Sequence, residues 1–260
     1  MSFPTTILKD SGASIIVDHL SEIEGGIILD VATGDGEFIT SIAPILKRYD
    51  KFFGVDCCSE EITKAKKNTK NLPVEFKVID AEKLPFENES FDTVMIANSL
   101  HHLKNVNHVL QEMFRVLKIG GNFILQEMFA DGNQTEAQKA DIISHAFNAE
   151  IDRELGIIHN PTFAKGKIIQ YFNNIQLREY DMYLASRYIK CQMCEKYTLC
   201  DNPKNEEIVK SALKDVDDCL AKIKKLETYD DYKQRAEEIK EYIRENGSAG
   251  ASFLFFIGQK

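Results

Sequence analysis

The chain has 260 residues, 43% of them apolar, and a formal net charge of −9, which is enough for one large α/β domain with an appended piece and a substantial core. The negative balance argues against nucleic-acid partners, whose phosphates are neutralised by clustered lysine and arginine, and the charge runs read as solvated surface. No apolar stretch reaches membrane-spanning length, and the start Met1-Ser2-Phe3-Pro4-Thr5-Thr6 lacks the basic opening and apolar core of a secretory signal, so a cytoplasmic location is expected.

In chain order, residues 12–24 predict a helix with Ile15, Ile16 and Leu20 on one face, and Gly25-Gly26 then releases a first strand. That strand, Ile27 to Val31, carries Asp30 near its end and breaks into Ala32-Thr33-Gly34-Asp35-Gly36. Glycines at a strand's carboxyl end let the backbone turn sharply and approach a ligand with no Cβ in between. A dinucleotide site sets its pyrophosphate here and has a third glycine in a G-x-G-x-x-G pattern. In this chain Ile39 takes that third place and Asp30 repels phosphate. A cationic ligand fits better, and S-adenosylmethionine (SAM) carries a sulfonium and an ammonium in the part of the molecule that lies near such a turn.

A helix over residues 38–49 leads to Lys51–Asp56, a second strand ending in an acid placed to accept from both hydroxyls of a ribose. Asp56 lies twenty residues beyond Gly36, a spacing that indicates an adenosine ribose and suits NAD equally. Val74 to Ala81 is a third strand whose Asp80 can accept from an adenine amino group while the Ala81 amide donates to the ring. Ser90 to Asn98 is the fourth, followed by His101-His102-Leu103. Helical segments are predicted over residues 134–155 and 164–172, and a strand over 175–184. The charged stretch 187–246 reads as a helical insertion broken at Asn202-Pro203 and Thr228-Tyr229-Asp230. Ile208, Ala212 and Val216, or Leu220, Ile223 and Leu226, can form its buried stripe. Alternating strands and helices imply a parallel sheet with its ligand at the carboxyl ends of the strands.

These acids and glycines, together with Glu112 to Leu125 as helix, turn and fifth strand, resemble the class I SAM-dependent methyltransferases over residues 26–130. Within that family the chain is similar to the small-molecule branch (type 11) that includes the ubiquinone/menaquinone C-methyltransferases. The resemblance implies an α/β fold: a Rossmann-like seven-stranded sheet, mostly parallel, whose last strand, Ala251 to Gly258, runs antiparallel between the fifth and sixth. It implies a SAM-binding core over 1–186 with a helical cover at about 131–172, the insertion at 187–246, and 247–260 completing the sheet. By the same analogy Asp30, Gly34 and Gly36 hold the methionine end of the cofactor, Asp56 the ribose, and Asp80 and Ala81 the adenine, with Ala32, Cys57 and Asn98 beside them. Asp35 departs from the small or hydroxyl residue that many relatives place between the glycines.

Methyl transfer from a sulfonium is an in-line displacement on an activated carbon, so much of the catalysis lies in holding a small-molecule acceptor against the methyl group in a dry pocket. A base is needed where the acceptor must lose a proton. His101 and His102 stand near where the methyl group emerges, and imidazole is the residue type best suited to taking up a proton near neutral pH. His145, Asp152 and His159 recur every seven residues, two helical turns apart, and with Glu127 at the end of the fifth strand they are candidates to touch the acceptor. The competing readings are a hydrogen-bonded structural cluster and a metal site. Cys191, Cys194, Cys200 and Cys219 offer four thiols in irregular spacing; reduced cytoplasmic cysteines are expected over zinc or an iron–sulfur cluster, and no resident metal is expected. The rival functions are a protein or RNA methyltransferase docking through the insertion, and a non-catalytic SAM-binding or metal-sensing module built on those cysteines.

Overall fold

The structure, a computed structural model, describes residues 9–10, 13–185 and 202–260. Eight strands form one sheet: β1 (Lys9–Asp10), β2 (Ile27–Val31), β3 (Lys51–Asp56), β4 (Val74–Val78), β5 (Phe91–Ala97), β6 (Leu117–Met128), β7 (Glu179–Ala185) and β8 (Phe253–Gln259). Their order is β1-β7-β8-β6-β5-β2-β3-β4. β2, β3, β4, β5 and β6 pair in parallel, and β8 lies antiparallel to β7 between it and β6. The mostly parallel Rossmann-like sheet with an antiparallel last strand is therefore present, and β1 adds a two-residue edge strand parallel to β7.

Among the described residues the helices are α1 (Ala13–Ser21), α2 (Glu37–Ile42), α3 (Ser59–Asn68), α4 (Val106–Val116), α5 (Glu136–Glu154), α6 (Lys165–Asn173), α7 (Glu206–Ala221) and α8 (Tyr229–Asn246), with a 3-10 turn at Leu100–His102. Helix α2 is half the length expected from residues 38–49. Pro44 removes a backbone donor and restricts the residue before it, and residues 43–49 turn and bend instead.

The chain divides into two compact units: Met1–Glu127 with Ile168–Ala185 and Phe253–Lys260, and Met128–Lys167 with Ser186–Ser252. In the first, the chain leaves β2 toward β3 and β4 and returns to β5 on the other side of β2. That reversal opens a crevice at the carboxyl ends of β2 and β5, where doubly wound sheets hold ligands. The strands there are rigid because they are apolar on both faces; Ile28, Leu29, Val94, Met95, Ile96, Ile124 and Leu125 are fully buried. Phe172 stacks on Phe256 with centroids 4.0 Å apart, packing α6 on β8.

The second unit is helical. Thr135 and Gln138 close a reciprocal capping box at the start of α5. Its core gathers Phe147 and Ile151 of α5, Val216, Cys219 and Leu220 of α7, Ile223 beyond it, and Ala236, Ile239 and Ile243 of α8. The insertion thus buries a stripe running from Val216 through Leu220 to Ile223. Val209, rather than Ile208, packs against this core, and Leu226 is exposed. Among the described residues no helix is long and apolar enough to cross a membrane.

Candidate functional site

The loop after β2 is the most constrained backbone in the first unit. Ala32, Gly34 and Gly36 all have positive φ, at 53°, 53° and 82°. For Ala32 the left-handed region costs about 1–2 kcal/mol, and strain of this kind gathers at ligand clamps. A Cβ added to Gly34 would meet nothing within 4 Å among the described residues, so this glycine serves the turn. Gly36 faces Thr69 and Ala65 of the first unit, where a Cβ would come within 3.0 Å of the Thr69 methyl.

Asp30 is buried, and its Oδ2 accepts from the Thr33 hydroxyl at 2.5 Å. Burial pushes its carboxyl up to about 7; the Thr33 hydrogen bond opposes the rise and the charge of Asp56 adds to it. Asp56 accepts the Gly34 amide on Oδ2 and the Cys58 amide on Oδ1, each at 2.9 Å. Each oxygen keeps a second lone pair for a hydroxyl group. Asn98, at φ 46°, ends β5 beside this loop, and its buried Oδ1 has no partner among the described residues. A buried acceptor left unpaired costs about 1–3 kcal/mol, and in a site it marks a place that a ligand donor completes. Thr33, and Ser99, whose hydroxyl donates to the Ala97 carbonyl at 2.7 Å with the Ala32 carbonyl at 3.2 Å, carry no sequence signal, because neither residue type is distinctive without the loop geometry.

The segment expected to meet the adenine is less regular than the sequence suggests. β4 stops at Val78, so Asp80 is not a strand-end residue; it is exposed, and its Oδ1 accepts from the Glu82 amide at 2.9 Å in a local turn. Ala81 beside it is half-buried. Cys57 is exposed, with burial of its sulfur and the Asp56 charge pushing the thiol up.

The histidines after β5 are fixed by Glu127. Its fully buried carboxylate accepts the Ser99 and Leu100 amides on Oε2, at 3.1 and 3.0 Å, and its Oε1 lies 2.5 Å from His101 Nδ1. An acid at the start of a helical turn satisfies orphan donors. With Nδ1–H donated to a carboxylate, His101 presents Nε2 as the basic atom. Both Glu127 carboxylate oxygens thus have partners within the first unit, and the side chain positions His101. His101 is buried, whereas His102 is exposed and packs its ring on that of His101, 4.3 Å between centroids.

In the second unit the seven-residue spacing brings its trio together. Asp152 Oδ2 lies 2.7 Å from His159 Nδ1, His159 Nε2 lies 3.4 Å from His145 Nε2, and His145 Nδ1 lies 2.9 Å from the Thr162 hydroxyl. Lys222 closes the far end, donating to Asp152 Oδ1 at 2.9 Å. Burial alone would raise the Asp152 carboxyl; its bonds to His159 and Lys222 outweigh that and hold it below the ordinary range. Lys222 is seventy residues away in sequence and carried no local signal. Cys219 is a buried thiol that donates to Asn148 Oδ1 and is pushed up to about 11, chiefly by burial, which keeps it protonated. It is part of the helical core; Cys191, Cys194 and Cys200 lie outside the described residues.

Residues 29–125 match the family model described as a methyltransferase domain. Over 115 residues the chain is 33% identical to the ubiquinone/menaquinone biosynthesis C-methyltransferase UbiE of Geotalea uraniireducens, covering 43% of this chain and 49% of that protein. Over 116 residues it is 34% identical to the demethylmenaquinone methyltransferase of Thermotoga maritima, covering 44% and 48%. The chain thus spans about half the length of these relatives. Among crystal structures, a Bacillus halodurans C-125 protein (BH2331) shares the fold, with a TM-score of 0.58 and 19% identity over 95% of this chain and 97% of that one.

Proposed function

We propose, from the match of residues 29–125 to the methyltransferase-domain model, that the chain is a class I SAM-dependent enzyme that transfers a methyl group from SAM to a small-molecule acceptor. The observation that carries this reading is Asp30, a buried acid with one hydroxyl partner among the described residues, set beneath a loop where a Cβ added to Gly34 would meet nothing within 4 Å. A buried carboxylate with no cation beside it is stabilised by a ligand that brings one. Asp30 and the Gly34–Gly36 turn would hold the cationic methionine end, Asp56 the ribose, and Asn98 Oδ1 would accept a ligand donor. The Asp80 carboxylate and the Ala81 amide would meet the adenine, with Cys57 against the adenosine.

SAM, when bound, supplies a methyl group already activated by positive sulfur. The chain contributes orientation and proton handling. Glu127 fixes the tautomer and ring plane of His101, so that Nε2 can take a proton from an acceptor hydroxyl, amine, thiol or acidic carbon as it becomes nucleophilic. His102, exposed at the same turn, contacts the acceptor. The net charge of −9 supports a small molecule over a nucleic acid, and the free thiols Cys57, Cys58 and Cys219 suit the cytoplasm.

The test is transfer of a labelled methyl group from SAM into a metabolite extract, with mass identification of the product. One labelled small molecule is expected. Label in protein or RNA alone, or no binding of SAM and S-adenosylhomocysteine, overturns the reading. His101→Ala should lower turnover by about 10²–10⁴-fold with SAM affinity unchanged; equal turnover removes the base.

A further inference from the structure

The facing imidazoles of the second unit are built for something other than each other. Their Nε2 atoms are 3.4 Å apart, at the long end of hydrogen-bond reach. Two imidazole nitrogens on a tetrahedral zinc ion, each about 2.0–2.1 Å from the metal, stand about 3.3–3.4 Å apart. The outer atoms agree with that geometry. His159 Nδ1 is held by the Asp152 carboxylate and His145 Nδ1 by the Thr162 hydroxyl, the carboxylate–histidine and oxygen–histidine pairs that fix ligand tautomers at metal sites. With Nδ1 of each ring engaged by an oxygen partner, the two Nε2 atoms face each other, and a cation between them would be coordinated by both. Lys222 on Asp152 and the Arg153 guanidinium on the His159 carbonyl anchor the arrangement to α5 and its neighbouring helix.

We infer that His145 Nε2 and His159 Nε2 form a binding site for a divalent first-row transition ion, zinc foremost, with Asp152 and Thr162 as orienting partners. The site involves no cysteine and does not depend on methyl transfer.

The untagged full chain is titrated with Co2+ alone and followed by visible absorption and calorimetry. One cobalt per chain is expected, with a nitrogen and oxygen ligand field and no thiolate-to-cobalt charge-transfer band. Affinity should fall at least about tenfold in His145→Ala and in His159→Ala, and about 10–100-fold in Asp152→Asn. Circular dichroism shows whether each variant is folded; where one is not, X-ray absorption of the cobalt-loaded wild type decides, and outer-shell scattering from two imidazoles supports the site. No stoichiometric uptake, a thiolate band, uptake unchanged in both histidine variants, or absent imidazole scattering overturns it.

Discussion

Two buried acids, one in each unit, are handled in opposite ways. Asp30 is 1% exposed and has a single hydroxyl partner among the described residues, and its carboxyl is pushed up to about 7. Asp152 is 7% exposed and is met by an imidazole and an ammonium, which hold it below the ordinary range. The same side chain is therefore an unmet electrostatic demand in the strand-end loop and a settled strut among the helices. An acid left short of positive charge points to a ligand that carries some; an acid already satisfied organises its neighbours.

The comparison is most sharply broken by exchanging each acid for its amide. Asp30→Asn should weaken SAM binding by about 1.5–3 kcal/mol, the worth of a charged hydrogen bond, as read by calorimetry. It should leave the unliganded chain as stable or more so at pH 8. Asp152→Asn should do the reverse, costing about 1–3 kcal/mol in urea unfolding with SAM affinity intact. Matching phenotypes would dissolve the distinction.

The pH dependence follows from the raised carboxyl. Folded Asp30 keeps its proton up to about 7, whereas the unfolded side chain loses it near about 4. Its contribution to stability is thus fully present below about 4, declines as pH rises to about 7, and is flat above. A cationic ligand selects the ionised form. SAM affinity should therefore rise by up to about tenfold per pH unit toward 7 and then level off, a slope that Asp30→Asn should erase. The smallest effect expected is for Ala32→Gly, which relieves the positive φ and should raise stability by less than about 1 kcal/mol; a loss of stability would mean that the Ala32 methyl packs usefully.

The parts legible in the sequence were those written locally. An apolar run, an acid and a glycine placed β2, β3 and the loop after β2, because strand, stop and turn are neighbours in the chain. The heptad spacing of His145, Asp152 and His159 likewise survived as contact. What was not legible depends on partners far along the chain or on where an element stops. Asp80 reads as a strand end only until β4 is seen to finish at Val78. Glu127 reads as a pocket acid only until the Ser99 and Leu100 amides are seen to fold back onto it. Nothing near Asp152 announces Lys222.

The place of β8 has a consequence for synthesis. Phe253–Gln259 lies between β6 and β7, yet it leaves the ribosome after both of them and after the helices of residues 202–246. Until then β6 and β7 carry open edges able to pair with other nascent chains. Closing them is a slow, long-range event, so production of this protein should be limited by chaperone supply and growth temperature during translation more than by the finished molecule's stability.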